Sequence, residues 1–347
     1  MIKPSKLNLG DKVATISPSW GGPSVFPHRY RAGVNQLEAE FGLKVVEMPH
    51  TLSDADWLSQ NPKARAEDLM QAFSDSSIKG IIATIGGEDS IRLLPYLDLN
   101  VIRDNPKIFL GYSDTTISHM VCYKAGLVSF YGPTIMAGFG ENGGMFPYMV
   151  ESVRRTLFRA DPIGVVQPNS GGWTVERLEW GVPSNQEKKR KLNPTLGWKL
   201  LQGEGVRQGH LLGGCIEVVD WIRGTELWPN QEHWQDAILF LETSEEAPPP
   251  ATVRYFMRAL AAMGVLKQLS GILFGRPGGN IPVDRFREYD EAILQVVQHE
   301  EGLTDLPIIT NMDFGHTDPM FVLPYGVQAE IDCYNQRFSI LENAVIN

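Results

Sequence analysis

The chain has 347 residues, of which 43% are hydrophobic and 21% are charged, so it can form a packed core and lacks the composition of a disordered protein. Its formal net charge of -10 argues against nucleic acid as a general partner, because phosphate binding depends on clustered Lys and Arg. The sequence contains no apolar run of about 18 residues, no apolar signal-peptide segment and only three widely spaced cysteines, so we expect a cytoplasmic protein without disulfides or a membrane span.

Strands and helices alternate over roughly the first 160 residues. The pattern predicts strands at 12–17, 44–48, 79–87, 107–110 and 127–132, and helices at 26–42, 62–75, 88–96, 114–125 and 147–159. Such alternation is typical of an α/β fold with a mostly parallel sheet covered on both faces. Ligands of these sheets bind at the carboxyl ends of the strands. Three of those ends carry unusual residues, SPSWGG (17–22), IGGEDS (85–90) and GYSD (111–114).

The pattern changes near residue 161. Residues 167–200 are polar, rich in Gly, Pro and Asn, and contain three tryptophans and a basic run at 188–191. A long irregular segment is usually functional or disordered, and the tryptophans argue against disorder. Further strands are predicted at 209–219, 237–243, 269–275 and 306–315, with a helix at 250–263. We therefore predict an N-terminal α/β domain (1–165), a linker or active-site loop (166–205) and a smaller, β-rich C-terminal domain (206–347).

Ser113 lies in GYSD, where a predicted strand turns into a helix. A serine at such a corner exposes its hydroxyl, and the helix N-terminus offers free N–H groups that can stabilise an oxyanion. The alternative is an ordinary N-cap, for which Ser and Asp are favoured residues. The full G-x-S-x-G elbow is absent, since Thr115 replaces the last Gly.

A nucleophilic serine needs a base and a group that orients the base. Among the seven histidines, His316 follows an apolar strand and a sharp turn at Gly315, although a surface turn is the alternative. Glu242 closes a nearly continuous apolar strand, where a carboxylate is costly without a partner. We interpret Glu245 and Glu246 as solvated acids at a helix entry.

Other motifs are less specific. IGGEDS is neither a dinucleotide nor a Walker A motif, and its Gly pair more plausibly frees backbone N–H groups to face the site. Cys122 lies in an apolar helix, where a single cysteine usually packs in the core. No His, Cys and Asp cluster has metal-ligand spacing, so we expect no metal.

In this order, GYSDTT, LLGGCIEV, LFLETSEE, ILFGRP and NMDFGHTDP resemble the serine LD-carboxypeptidase family, which contains muramoyl-tetrapeptide carboxypeptidases and microcin C immunity proteins. The resemblance covers nearly the whole chain. It implies an N-terminal α/β sandwich and a β-rich C-terminal domain with the site between them. It also implies a homodimer.

The resemblance implies that Ser113 is the nucleophile, His316 the general base and Glu242 the group that orients the imidazole. It further implies an oxyanion hole made by the backbone amides of Gly87 and Asp114. We accordingly predict a serine hydrolase that needs no cofactor and acts through an acyl-enzyme.

The sequence resembles the microcin-immunity branch more closely, through YGPTIMAGFGENGGMFPY and the tryptophan-containing segment. That branch uses an aromatic on an extended loop to stack on a nucleobase, which makes Trp173, Trp180 and Trp198 candidates, with core packing as the alternative. Many members have Asn where this chain has Cys215, so its ligand contacts are expected to differ. Arg276 of FGRP is a candidate for binding a substrate carboxylate, with surface salt-bridging as the alternative.

The expected substrate is a peptidyl- or aminoacyl-nucleotide of the microcin C type. The alternative within the family is a murein tetrapeptide that releases D-Ala. Two other classes remain open. A nucleotide-binding oxidoreductase is disfavoured by the missing Gly fingerprint, and a two-lobed small-molecule binding protein would use GYSD only as a cap.

Overall fold

A computed structural model describes all 347 residues of the chain. The strands of its first sheet are β1 (Lys12–Ile16), β2 (Lys44–Glu47), β3 (Ile78–Ala83), β4 (Ile108–Gly111), β5 (Phe130–Tyr131) and β12 (Leu323–Pro324). They lie in the order β12-β5-β4-β3-β1-β2, and the first five strands of the chain are all parallel. Every residue of β4 is buried, as is typical of a strand covered on both faces.

The second sheet has eight strands. They are β6 (Gly164–Val166), β7 (Lys199–Gln202), β8 (Val206–Cys215), β9 (Ile238–Glu242), β10 (Gly271–Gly275), β11 (Ile308–Met312), β13 (Gln328–Asp332) and β14 (Arg337–Ile340). Their order is β6-β14-β13-β8-β9-β10-β11-β7. Strands β8 to β11 form a parallel centre, and antiparallel strands flank it on both sides.

Eleven α-helices connect and cover the sheets. They are α1 (Gly22–Val25), α2 (Pro27–Phe41), α3 (Ala55–Gln60), α4 (Pro62–Ser74), α5 (Leu99–Asp104), α6 (Thr116–Lys124), α7 (Pro147–Leu157), α8 (Ile216–Trp221), α9 (Gln231–Trp234), α10 (Pro250–Ala262) and α11 (Phe286–Leu294). A π-helical turn at Gln295–Glu300 extends α11. None of these helices has the length and hydropathy needed to cross a membrane.

The structure confirms the α/β fold class and most of the predicted elements. Two predictions need correction. The predicted helix at 88–96 is a 3₁₀ helix over Ser90–Tyr96 that contains Pro95. The predicted strand at 209–219 ends at Cys215, and its last four residues begin α8, because a short apolar run fits a buried helix as well as a strand.

The two halves of the chain are interlocked. Strand β12 comes from the C-terminal half but pairs with β5 of the first sheet, whereas β6 and β7 join the second sheet from before residue 206. A single cluster of 82 buried hydrophobic residues includes strands of both sheets, so the halves share one core. The carboxyl end of β4 therefore lies next to elements of the second sheet.

Candidate active site

Ser113 lies in the turn between β4 and α6, at the carboxyl edge of the first sheet. Its φ of 65° is in the left-handed region, a conformation that costs an L residue about 1–3 kcal/mol. The Thr116 hydroxyl holds the turn by donating to the Ser113 carbonyl at 2.7 Å. The Ser113 side chain makes no cap to the helix, and its Oγ lies 3.0 Å from Nε2 of His316. The strained turn thus presents this hydroxyl to an imidazole.

A buried carboxylate lies on the other side of the imidazole. Glu242 is the last residue of β9, and its Oε2 is 2.7 Å from Nδ1 of His316, which follows β11. The carboxylate is fully buried and the imidazole is 6% exposed. Gly315 permits this approach, since its φ is 89° and a Cβ there would lie 2.6 Å from Oε2. Ser113, His316 and Glu242 therefore form a continuous hydrogen-bonded chain.

Tyr131 belongs to the same hydrogen-bonded chain, although no sequence motif indicated it. Its hydroxyl donates to Oε1 of Glu242 and accepts the backbone N–H of Ser113. The ring is buried at the end of β5, where a tyrosine is typical of core packing. Its role is visible only because β5 of the first sheet faces β9 of the second.

The two carboxylates beside His316 control its charge. Burial alone lowers the pKa of His316, but attraction and hydrogen bonding from Glu242 and Glu245 outweigh burial and raise that pKa well above its ordinary value. The hydrogen bond from His316 in turn lowers the pKa of Glu245 to about 2, against the opposing effect of burial. His316 thus lies between two carboxylates, both of which favour the protonated form of its ring.

Glu245, which the sequence suggested to be a solvated acid at a helix entry, instead contacts the imidazole of His316. Its Oε2 lies 3.1 Å from Nε2 of His316, and its side chain is 40% exposed at the cavity wall. It is not at a helix entry, because α10 begins only at Pro250. The contact joins residues 71 positions apart (316 minus 245), so no local pattern could have indicated it.

The Gly86–Gly87 loop lies directly beside Ser113. A Cβ on Gly86 would be 3.0 Å from the Ser113 Oγ, and one on Gly87, whose φ is 150°, would be 2.2 Å from Ser19 Oγ. Neither glycine N–H donates a hydrogen bond within the protein. The free donors and the lack of side chains leave room for a substrate oxygen next to the hydroxyl.

Asp114 joins this loop to the serine turn. Its Oδ2 accepts the backbone N–H of Ser90 at 2.9 Å, and its carbonyl accepts the Ser90 hydroxyl at 2.8 Å. Burial raises the pKa of the Asp114 carboxyl. The two backbone segments that carry Gly87 and Asp114 are thus fastened to each other.

A cavity of about 930 Å³ opens from the imidazole. Tyr112, Glu245 and His316 lie at one part of its wall, and the tyrosine ring is 4.9 Å from the imidazole. Three aromatic side chains, Trp20, Phe26 and Trp180, form another part, with Phe26 edge-on to both tryptophans. The wall is completed largely by residues 174–180 of the segment that interrupts the sequence pattern.

Buried ion pairs fasten that segment to the body of the protein. Arg190 of the basic run is bonded to Glu141 and, at 2.7 Å, to Asp318. Arg29 lies with its guanidinium 4.8 Å from the Trp180 ring, and burial lowers the pKa of Arg29 to about 10. These contacts fasten the aromatic wall, of which Trp180 is part, to the body of the protein.

The tryptophan candidates separate by position. Trp173 is buried, donates to the Pro194 carbonyl and lies outside the cavity lining. Trp198 donates to Asp313 at 2.7 Å, packs on Phe321 and is likewise absent from the lining. Trp180 is the one of the three that faces the cavity.

Arg276 and Cys215 also lie outside the cavity lining. Arg276 is 1% exposed and pairs with Asp313 at 2.7 Å, so it is neither a surface residue nor free to bind a substrate carboxylate. Cys215 is buried, and its thiol lies 3.3 Å from Glu217. Cys215 therefore contributes to the layer behind Glu242 rather than to the cavity wall.

One set of side chains has metal-ligand chemistry. Ligand atoms of Cys215, Glu242 and His316 lie within 4.8 Å of one another. A metal would need the thiolate, but burial raises the pKa of Cys215 well above its ordinary value. Glu242 and His316 are also already bonded to each other, so this set does not fit a metal well.

A serine hydroxyl, an imidazole and a buried carboxylate in hydrogen-bonded sequence, on a strained turn beside free backbone donors, define a serine hydrolase. The comparisons with known proteins agree. The LD-carboxypeptidase N-terminal domain matches residues 13–132, and the LD-carboxypeptidase C-terminal domain matches residues 208–331. The chain belongs to the LD-carboxypeptidase family, and it is a serine carboxypeptidase.

Among its relatives is the microcin C7 self-immunity protein MccF of Escherichia coli, 30% identical over 97% of this chain and 94% of that protein. An MccF-like protein from Streptococcus pneumoniae, solved in complex with AMP, is 31% identical with a TM-score of 0.85, and the match covers 96% of this chain and 100% of that one. MccF in complex with aspartyl sulfamoyl adenosine is 29% identical with a TM-score of 0.86 over 100% of both chains.

Proposed function

We propose that this protein hydrolyses the amide-type bond between an acyl group and a nucleotide in a peptidyl- or aminoacyl-nucleotide. The observation that carries the proposal is that His316, the central residue of the hydrogen-bonded Ser113–His316–Glu242 chain, lines a cavity with an aromatic wall. Similarity to proteins solved with AMP and with aspartyl sulfamoyl adenosine supports the nucleotide part.

In the proposed reaction, neutral His316 takes the proton of Ser113, and Oγ attacks the carbonyl carbon. Glu242 holds Nδ1–H and keeps the imidazole in the tautomer whose Nε2 faces the serine. When the carbon–nitrogen bond breaks, His316 returns the proton to the leaving nitrogen. Water, activated by the same imidazole, then hydrolyses the acyl-enzyme.

We assign the oxyanion hole to the backbone N–H groups of Gly87 and Asp114. The free N–H of Gly87 and its fastening to the serine turn through Ser90 support this assignment. Each such donor contributes about 3 kcal/mol of transition-state stabilisation in serine hydrolases.

Trp180 is the candidate that we assign to the nucleobase. Its ring lines the cavity, and the Arg29 guanidinium lies 4.8 Å from the centre of that ring. Stacking of a base on an aromatic ring contributes about 1–3 kcal/mol and tolerates different bases. Trp20 and Phe26 extend the same apolar surface.

The test is a mass-spectrometric assay of two substrates in parallel. The protein and its Ser113→Ala variant receive an aminoacyl sulfamoyl adenosine and, separately, a murein tetrapeptide ending in D-Ala. We expect cleavage of the adenosine derivative by the wild type and none by the variant. Release of D-Ala without cleavage of the adenosine derivative would assign the protein to murein recycling, and full activity of the variant would remove Ser113 from the mechanism.

The proposal includes a cytoplasmic homodimer. All three cysteines, Cys122, Cys215 and Cys333, are free, which is typical of a reducing compartment. Light scattering of the purified protein measures the oligomeric state, and a monomer at micromolar concentration would contradict this part. Fractionation of the source cells measures the compartment.

A further inference from the structure

Glu245 has no part in the proposed mechanism, yet it contacts the catalytic base. Its Oε2 is 3.1 Å from Nε2 of His316, and the Ser113 Oγ is 3.0 Å from that nitrogen. Both oxygens therefore compete for one ring position. The carboxylate and the nucleophile lie within two hydrogen-bond lengths of each other.

The contact fits only one charge state of the ring. With Nδ1–H donated to Glu242, a neutral His316 presents a lone pair at Nε2, and a carboxylate oxygen facing it would be repelled. Because its lowered pKa keeps Glu245 ionised, the contact with Glu245 requires Nε2–H, which makes the ring an imidazolium. An imidazolium cannot accept the proton of Ser113, so Glu245 must release His316 before the reaction.

The other charged groups near the imidazole do not substitute for Glu245. Asp318 and Glu141 are both paired with Arg190. Arg177 is 3.8 Å from Glu245 but 81% exposed, and such a pair is weak in water. A cation brought by the substrate could therefore displace His316 from Glu245.

Resting on the proposed function, we infer that Glu245 is a specificity-determining residue that binds the free α-ammonium group of the substrate's acyl residue and thereby releases His316 to act as base. In an acyl residue held for attack by Ser113, the α-nitrogen is two bonds from the attacked carbon. An atom at that separation can reach the Glu245 carboxylate, which lies within two hydrogen-bond lengths of the Ser113 Oγ. As the carboxylate turns to the ammonium, the Nε2 proton passes to solvent, and Nε2 can then accept the proton of Ser113.

The inference also separates the two substrate classes of the family. An aminoacyl nucleotide has a free α-ammonium, whereas a peptidyl nucleotide does not, so the inference favours the aminoacyl form of the proposed substrate. In a tetrapeptide cleaved at its last bond, the α-nitrogen of the acyl residue is already in a peptide bond and carries no charge. The contact between Glu245 and His316 would break when an aminoacyl nucleotide binds and would persist when a tetrapeptide binds.

The experiment compares alanyl sulfamoyl adenosine with its N-acetyl derivative. For the wild type we expect kcat/KM to be at least about ten-fold higher with the free amine, the size of one charge-assisted hydrogen bond. In Glu245→Gln this ratio should fall toward one, because the free amine loses its partner and the acetylated compound no longer meets an imidazolium. Glu246→Gln is the matched control, since it removes the same charge from an exposed neighbour outside the cavity lining.

Equal kcat/KM for the two compounds with the wild type would overturn the inference and leave the proposed function intact. An unchanged ratio in Glu245→Gln would do the same. If the wild type cleaves neither compound, the proposed function fails. Calorimetric binding of both compounds to Ser113→Ala then tests the inference separately, and equal affinities would reject it.

Discussion

The hydroxyl of Tyr131 donates a 2.5 Å hydrogen bond to Oε1 of Glu242, across the boundary between the two sheets. The hydroxyl oxygen of Tyr131 also accepts the backbone N–H of Ser113 at 3.1 Å. One phenol therefore positions the carboxylate and the serine turn relative to each other. It also occupies the Ser113 N–H, which leaves the oxyanion to other donors.

Replacing Tyr131 with Phe should lower kcat about ten-fold or more with little change in KM. The substitution leaves the partly buried Ser113 N–H without an acceptor and Oε1 of Glu242 without a donor, each at a cost of about 1–3 kcal/mol. Steady-state kinetics with the cleaved substrate would measure the effect.

Tyr325→Phe provides the control for this prediction. Tyr325 is also fully buried, and its hydroxyl donates to the Gly213 carbonyl rather than to the catalytic chain. Equal losses of kcat in the two variants would show that Tyr131 acts only through general stability.

Gly86→Ala should abolish most turnover without unfolding the protein. The new Cβ would lie 2.9 Å from the Ser113 Cβ and 3.0 Å from its Oγ, so it would push the hydroxyl away from Nε2 of His316. Gly171→Ala is the comparison, because the nearest atom to its Cβ is 3.4 Å away, an ordinary contact. Activity and thermal unfolding of both variants check the prediction, and a fully active Gly86→Ala would contradict it.

The acid side of the pH–rate profile should report His316. Its pKa is raised, so kcat/KM should fall with decreasing pH, with a midpoint above the ordinary 6.5. Glu245→Gln should move this midpoint to lower pH, because one of the two carboxylates that stabilise the imidazolium is lost. A midpoint that is the same in both proteins would show that Glu245 does not contact the base in solution.

The His316–Glu245 pair should also affect the free energy of unfolding, with a pH dependence opposite to that of kcat/KM. A histidine whose pKa is raised on folding stabilises the protein fully below its unfolded pKa, and the stabilisation is lost as pH rises through the folded pKa. The lowered pKa of Glu245 adds stabilisation above about 4.5 that is lost toward 2. We expect Glu245→Gln to lower the melting temperature most between about pH 4.5 and 6.5. A pH-independent difference would contradict the ion pair.

The sequence predicts the parts of the site that depend on local pattern. A β-branched run followed by turn residues indicates where β1, β3 and β4 end, and parallel pairing brings those ends to one edge. Ser113 is recognisable there from GYSD. Glu242 and His316 are recognisable as a costly strand-end acid and as a histidine after a sharp glycine turn, but the resemblance to a family was needed to combine them.

The remaining parts depend on contacts between distant segments. Glu245 lies in a polar stretch that is typical of a solvated turn. It contacts His316 only because its loop lies next to the segment after β11. Arg276 follows a strand in a polar motif that is typical of the surface, yet it is buried in an ion pair with Asp313. Whether a tryptophan faces a cavity or a core depends on the path of residues 166–205, which follows from ion pairs such as that of Arg190 and not from periodicity.

Trp180→Ala should raise KM for a nucleotide-containing substrate about ten-fold while lowering the melting temperature less than Trp198→Ala does. The half-buried ring lines the cavity, so its loss removes base stacking together with the contacts to Phe26 and Arg29. Trp198→Ala is the contrasting variant, since its indole bonds Asp313 and packs on Phe321, and it should cost about 3 kcal/mol or more of stability. Kinetics with an aminoacyl sulfamoyl adenosine, together with thermal unfolding, separate the two effects. An unchanged KM in Trp180→Ala would assign the nucleobase to Trp20 or Phe26, the other aromatic residues of the same wall.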